Sequence, residues 1–205
     1  MNRRHRRYRP RRWSSAVAIA VGLVLGVAIT QYGATVMRVR GESMLPNLRQ
    51  GSLVLVVRPP LLRLIGRAAG EAERDLVRTG DVVVILDPIA ANRTAYVKRV
   101  VALAGQSVSL VDGAAFVDDA PLDEPWLAEA NHGAADHART VVPPASLFVL
   151  GDNRLPLASR DSRTFGPVPT SSWRGRVVSR LVAPFRDDGG LRSPFLPVGP
   201  SSNPS

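Results

Sequence analysis

The chain has 205 residues, 45% of them hydrophobic and 21% charged, enough for one domain with appendages and a packed core. It has no cysteine, which excludes thiolate catalysis, Cys-ligated zinc and disulfides. The net charge of +10 is concentrated at one end. Residues 1–12 hold seven Arg and no acid, and the remainder carries 20 basic against 17 acidic residues, so no nucleic-acid-binding body is expected.

In chain order, the basic tail 1–12 is followed by 25 uncharged residues, Trp13 to Met37. As a helix this run is about 37 Å long, more than the roughly 30 Å of a hydrocarbon core. Its most apolar part, Ala16 to Ile29, also has the length of a signal-peptide apolar region. The run continues through Tyr32 to Met37, and Trp13 and Tyr32 stand near its ends where interfacial aromatics belong. Length therefore favours an uncleaved anchor over 13–37. The seven preceding Arg place the N-terminus in the cytoplasm and everything from Arg38 onward outside.

Beyond the anchor the sequence reads as short Val-rich strands bounded by Gly, Pro, Asp or Asn: 52–57, 81–86, 95–103, 107–111, 146–151 and 175–182. Asp112-Gly113 predicts a two-residue hairpin turn pairing 107–111 with 114–118. Residues 59–78 read as an inserted helix or amphipathic excursion, and their leucines and arginines suggest a place near the membrane surface. Residues 119–145 read as an irregular excursion, and 187–205, rich in Pro, Gly and Ser, as a disordered tail. The expected fold class is all-β: a mainly antiparallel extracytoplasmic domain over 38–186 behind one transmembrane helix.

Two sets of residues could carry chemistry. The histidines are His5 in the tail and His132 and His137 in a polar segment, with Asp136 between them. They allow a Ser–His–Asp arrangement assembled across the chain, a two-His metal site, or two solvated side chains. Lysine is more informative, because Lys98 is the sole lysine among 27 basic residues and lies inside a strand. Flanked by apolar groups it would be desolvated and its pKa lowered. A fall from about 10.4 to about 7 costs roughly 4–5 kcal/mol, and arginine could not take that part because it does not deprotonate. The alternative is an edge-strand lysine with its ammonium in water.

"GESMLPNL" (41–48), "GDVVVI" (80–85), "YVKRVVALAGQSV" (96–108), "PPASLFVLGDNR" (143–154) and "SRDSRTFGPV" (159–168) resemble, in order, the conserved boxes of bacterial type I signal peptidases. The stretch 111–127 resembles that family's hairpin and linker, and the resemblance spans about residues 13–182. It implies a Ser–Lys dyad endopeptidase with Ser43 as nucleophile and Lys98 as general base, using no cofactor and no metal. It implies an oxyanion site at the Ser43 N–H and near Gly41, and an apolar binding surface that includes Met44. Ser159 resembles the serine that orients the base, with Ser162 as fallback, and Asp152, Arg154, Asp161 and Arg163 resemble a supporting charge network. The chain departs from the pattern at Asn47, at Ala104 and Gln106, and in a gap between Arg154 and Ser159 that is two residues longer.

The expected partners are secretory preproteins and membrane lipid, at the outer face of a bacterial cytoplasmic membrane. Two other readings compete. One is a specialised maturation protease of the same dyad type acting on one or a few precursors. The other is an inactive membrane-anchored binding module.

Overall fold

The computed structural model describes residues 12–70, 72, 76–90, 94–127, 136–181 and 195–196. Residues 1–11 and 128–135, with His5 and His132, lie outside the described residues. The chain opens with helix α1 (Arg12–Ala28), continues through one π-helical turn (Ile29–Gly33) and enters strand β1 (Ala34–Arg38). Ser15–Gly33 is long and apolar enough to cross a membrane by length and composition. The uncharged run is thus not helical to its end: its last four residues, Ala34 to Met37, pair with a neighbouring strand. A period-2 run with β-branched residues fits a sheet edge better than another helical turn.

The body is mostly antiparallel sheet. Strands β2 (Leu53–Val57), β3 (Val82–Leu86), β4 (Ala95–Leu103), β9 (Ser146–Leu150), β10 (Val168–Pro169) and β11 (Trp173–Leu181) join β1 in the order β1-β2-β11-β3-β4-β9-β10. Strands β5 (Ser107–Val111), β6 (Ala114–Val117), β7 (Ala120–Pro121) and β8 (His137–Val141) form a second sheet ordered β7-β6-β5-β8. Asp112 and Gly113 both take positive φ, 51° and 79°, in the tight β5–β6 turn, as an Asp-Gly pair between strands predicts. The segment 119–145 is more regular than expected, since it contains β7 and β8. Of the C-terminal tail, Phe195–Leu196 is described and forms a two-residue strand, β12, on β11.

The unbroken apolar strands are covered on both faces. In β3, Val83 and Ile85 pack with Leu62, Val100, Leu147 and Trp173, while Val82 and Val84 pack with Met44, Leu48, Val54 and Val56. Strand β9 divides likewise: Leu147 and Val149 face the first cluster, and Phe148 and Leu150 a third one beneath the small sheet. Burial on two faces explains why these strands read as apolar runs without alternation. Helix α2 (Pro59–Ala68) begins with two prolines, suited to its first turn, and buries Leu62 and Gly66. Gly175 marks the tightest strand contact, because a Cβ there would lie 2.6 Å from both the Val57 carbonyl oxygen and Val56 Cγ1.

Candidate active site

Ser43 lies in the loop between β1 and β2. The base of that loop is closed by Val39 N–H to the Ser52 carbonyl (2.8 Å) and Gly51 N–H to the Val39 carbonyl (2.9 Å). Met44 and Leu48, each 1% exposed, root it in the core, and Leu48 N–H donates to the Met44 carbonyl at 2.8 Å. From across the molecule, Asn153 N–H donates to the Ser43 carbonyl at 3.0 Å and Asn153 Nδ2 to the Glu42 carbonyl at 3.3 Å. The backbone on both sides of the Ser43 hydroxyl is thereby held by the segment that follows β9. At Gly41 φ is +82°, a conformation that favours glycine.

Lys98 stands in β4 with strands on both sides, paired to Val83 of β3. It is 1% exposed, so the edge-strand reading of this lysine does not hold. Its Nζ lies 2.6 Å from Ser43 Oγ and 5.4 Å from the centre of the Tyr96 ring. Burial pushes its pKa down from 10.5 to about 8; Asp161 and Asp152 oppose that shift and Arg163 adds to it. At that value about a tenth of the side chain is the free amine at pH 7, far more than for an ordinary lysine.

Behind this pair lies a set of buried charges. Arg99, next to Lys98 in β4, donates from Nε and Nη2 to the two oxygens of Asp152 at 2.7 Å each and from Nη1 to the Gly80 carbonyl at 2.7 Å. Its guanidinium stacks on Trp126 at 4.5 Å. Asn47 completes the cluster, its Nδ2 reaching Asp152 Oδ2 at 2.9 Å and the Trp126 carbonyl at 2.8 Å. Arg154 is wholly buried, binds the Gly151 and Gly113 carbonyls, and forms an ion pair with Glu124. Asp161 is gripped by Arg163 Nε and Nη2 at 2.9 Å each and by Ser159 Oγ at 2.6 Å. Burial alone would raise the Asp161 pKa, but the Arg163 hydrogen bonds and charge, with Ser159 and the Gly151 N–H, bring it below its usual value.

The four charged residues read from the sequence as one network are therefore three pairs. Their partners Arg99 and Glu124, and the donor Asn47, were not singled out in the sequence. The signal for Arg99 was an arginine inside an apolar strand, a position seldom filled by an unpaired charge. Ser159 is joined to Asp161, and Ser162 accepts a hydrogen bond from Val149 N–H at 3.0 Å. Gly151 is the other residue missed. A Cβ on it would lie 2.4 Å from both Ser159 Oγ and the Ser43 carbonyl oxygen, so the two loops meet over this glycine. The long gap before Ser159 turns outward, with Ala158 N–H bonded to the Leu155 carbonyl and Leu157 fully exposed. Its far end is tied down by Arg160 Nε to Asp87 at 2.9 Å.

The histidines go elsewhere. His137 is in β8, not in a loop, with its ring 5.4 Å from that of Phe148 and Nε2 3.2 Å from Thr140 Oγ1. Asp136 accepts from Asp112 N–H. Among the described residues no three metal-ligating side chains converge. A groove of about 370 Å³ runs beside Ser43, lined by Met37, Val39, Met44, Val84, Tyr96 and Val97 among others. A larger cavity of about 700 Å³ lies among Arg63, Leu76, Leu103, Leu147 and Trp173 and includes none of the groups above.

Residues 11–182 match the model of the family described as signal peptidase, peptidase S26. The chain belongs to this family. Its relatives include signal peptidase I of Bacillus caldolyticus, 32% identical over 190 residues that cover 87% of this chain and 93% of the relative. Signal peptidase IB of Staphylococcus aureus (strain Mu50 / ATCC 700699) is 30% identical over 181 residues, covering 80% and 86%. A crystal structure of a signal peptidase I from Enterococcus faecalis V583 superposes with a TM-score of 0.44 at 28% identity, over 49% of this chain and 96% of that one. Membership makes the chain a peptidase, with one N-terminal apolar helix consistent with membrane anchoring.

Proposed function

We propose that the chain removes signal peptides from secretory precursors at the outer face of a bacterial cytoplasmic membrane, using Ser43 and Lys98 as a nucleophile–base dyad. One observation carries this reading: a lysine amine shut away from water lies 2.6 Å from a serine hydroxyl beside an apolar groove. A neutral amine at that distance can take the hydroxyl proton as Oγ attacks the scissile carbonyl. The resulting ammonium protonates the leaving amine, so the mature chain departs and the signal peptide stays esterified to Ser43. Lys98, again neutral, deprotonates a water that hydrolyses the ester.

The tetrahedral oxyanion would take hydrogen bonds from the Ser43 N–H and the backbone near Gly41, since residue 41 has no side-chain donor. Met44 would form part of the apolar floor under the substrate. The pairs made by Asp152, Arg154, Asp161 and Arg163, with Ser159, serve to hold the two loops and to set the charge around Lys98. The excess of Arg before α1 argues for a cytoplasmic N-terminus. Ser43 then stands ten residues beyond the end of the apolar helix, where a precursor whose signal helix is still in the bilayer presents its cleavage point.

The test is cleavage of a secretory precursor by the detergent-solubilised full chain. Ser43→Ala and Lys98→Ala should each lose several orders of magnitude in kcat/KM, while a His132→Ala/His137→Ala double variant keeps its activity. Wild-type protein that leaves a range of precursors intact would overturn the reading.

A further inference from the structure

Helix α2 has one broad apolar arc and buries only part of it. Leu62 and Gly66 are buried against the body. Leu61, Leu64, Ile65 and Ala68, at the i, i+3, i+4, i+7 spacing of a helical stripe, continue that arc around the helix; Leu61 is half-buried and the other three are exposed. Leu64 is 66% and Ile65 53% exposed. Arg63 and Arg67, one turn apart and exposed, take the remaining side. A helix on a body surrounded by water has a polar outer face, whereas this one exposes Leu64, Ile65 and Ala68 beside its arginines.

Its location supplies the reason. Arg58 N–H, at the start of α2, donates to the carbonyl of Gly33 at 2.8 Å, and Gly33 is the last residue of the apolar span Ser15–Gly33. The helix also packs against the π turn that ends that span. The start of the helix is therefore tied to the end of that span. With its outer stripe apolar and a row of arginines along the flank, α2 matches a helix lying in the headgroup layer of an anionic membrane. From these juxtapositions we propose that α2 is an interfacial docking element: Leu61, Leu64 and Ile65 enter the acyl boundary, and Arg67 meets lipid phosphates. This rests on the reading of α1 as a membrane anchor, and it adds a second attachment that fixes how the body sits over the lipid.

The absence of cysteine makes the test direct. Single-cysteine variants of the full chain, each carrying a polarity-sensitive fluorophore, are placed in nanodiscs containing phosphatidylglycerol brominated high on its acyl chains. Leu64→Cys should show blue-shifted emission and bromine quenching, weaker in discs of phosphatidylcholine alone, brominated at the same positions. Leu23→Cys in α1 should be quenched in both, and Val111→Cys on the small sheet in neither. A Leu64→Cys label that behaves like Val111→Cys while Leu23→Cys is quenched overturns the docking proposal and leaves the anchor reading standing. An unquenched Leu23→Cys overturns both. Disulfide-linked Leu64→Cys dimers from an unquenched, unlabelled helix would also overturn it, assigning the stripe to a second copy of the chain.

Discussion

In the proposed dyad, Lys98 is where stability and activity pull against each other. Its folded pKa of about 8 lies below the ordinary 10.5, so between these values the unfolded chain binds more protons than the folded one. Wild-type stability should therefore rise as pH increases from 8 to 10.5, and below pH 8 the folded protein carries the full cost of a buried cation. That cost is about 3 kcal/mol for a shift of this size. Lys98→Met should be inactive yet more stable at pH 7, by up to about 3 kcal/mol, with the pH slope removed. Denaturant midpoints at pH 7 and pH 10 measure this. For the wild type, kcat/KM should climb as pH passes through about 8, because the proposed base acts as the free amine. Asp161→Asn removes a charge that holds this pKa up and should move the limb to lower pH. Gly151 makes a different demand. Gly151→Ala places a methyl 2.4 Å from the Ser43 carbonyl oxygen, so cleavage should fall far more than thermal stability, as paired activity and melting measurements would show.

At the scale of elements, the loop carrying Ser43 is held by what β4 and the segment after β9 bring to it. Arg99 of β4 and Asp152 after β9 are paired at 1% and 0% exposure, and Asn47 ties the Ser43 loop to the same carboxylate. Breaking such a pair from one side leaves an uncompensated buried charge. Asp152→Ala should cost about 3–5 kcal/mol, and Asn47→Ala about 1–3 kcal/mol, both readable by chemical denaturation. The strands themselves were legible in the sequence, because Val-rich runs bounded by turn residues have few other uses. The small pairings β7, β8 and β10 were not. Each is two to five residues long with little apolar signal, and it becomes a strand because a neighbour supplies the hydrogen bonds. Asn47 looked like a departure at a turn; it is a donor into a cluster formed by residues about 80 and 105 positions away, a link that no local pattern encodes.

For the whole molecule, one apolar helix leads into a body made of two sheets, and Arg154 links those sheets by binding Glu124 and the Gly113 carbonyl of the β5–β6 turn. A chain anchored with its N-terminus inside has a simple signature. In intact cells, Val111→Cys, at a position 55% exposed on the small sheet, should react with a membrane-impermeant maleimide. A cysteine within residues 1–12 should react only after the cells are opened. The reverse pattern would invert the orientation drawn from the arginines.

The sequence by itself determined the class of fold and the apolar span, which depend on local periodicity and length, both written along the chain. Ser43 and Lys98 were singled out by the resemblance of five boxes, and Lys98 also by its being the sole lysine. Only the tertiary structure decided that Lys98 is interior and not at an edge, that Arg99 and Glu124 partner Asp152 and Arg154, and that Gly151 is where two loops meet. It also turned the end of the uncharged run into β1 and left α2 with an unpartnered apolar face. Burial, ion pairing and close approach depend on which distant segments are brought together, and one position's neighbours in sequence do not contain that information.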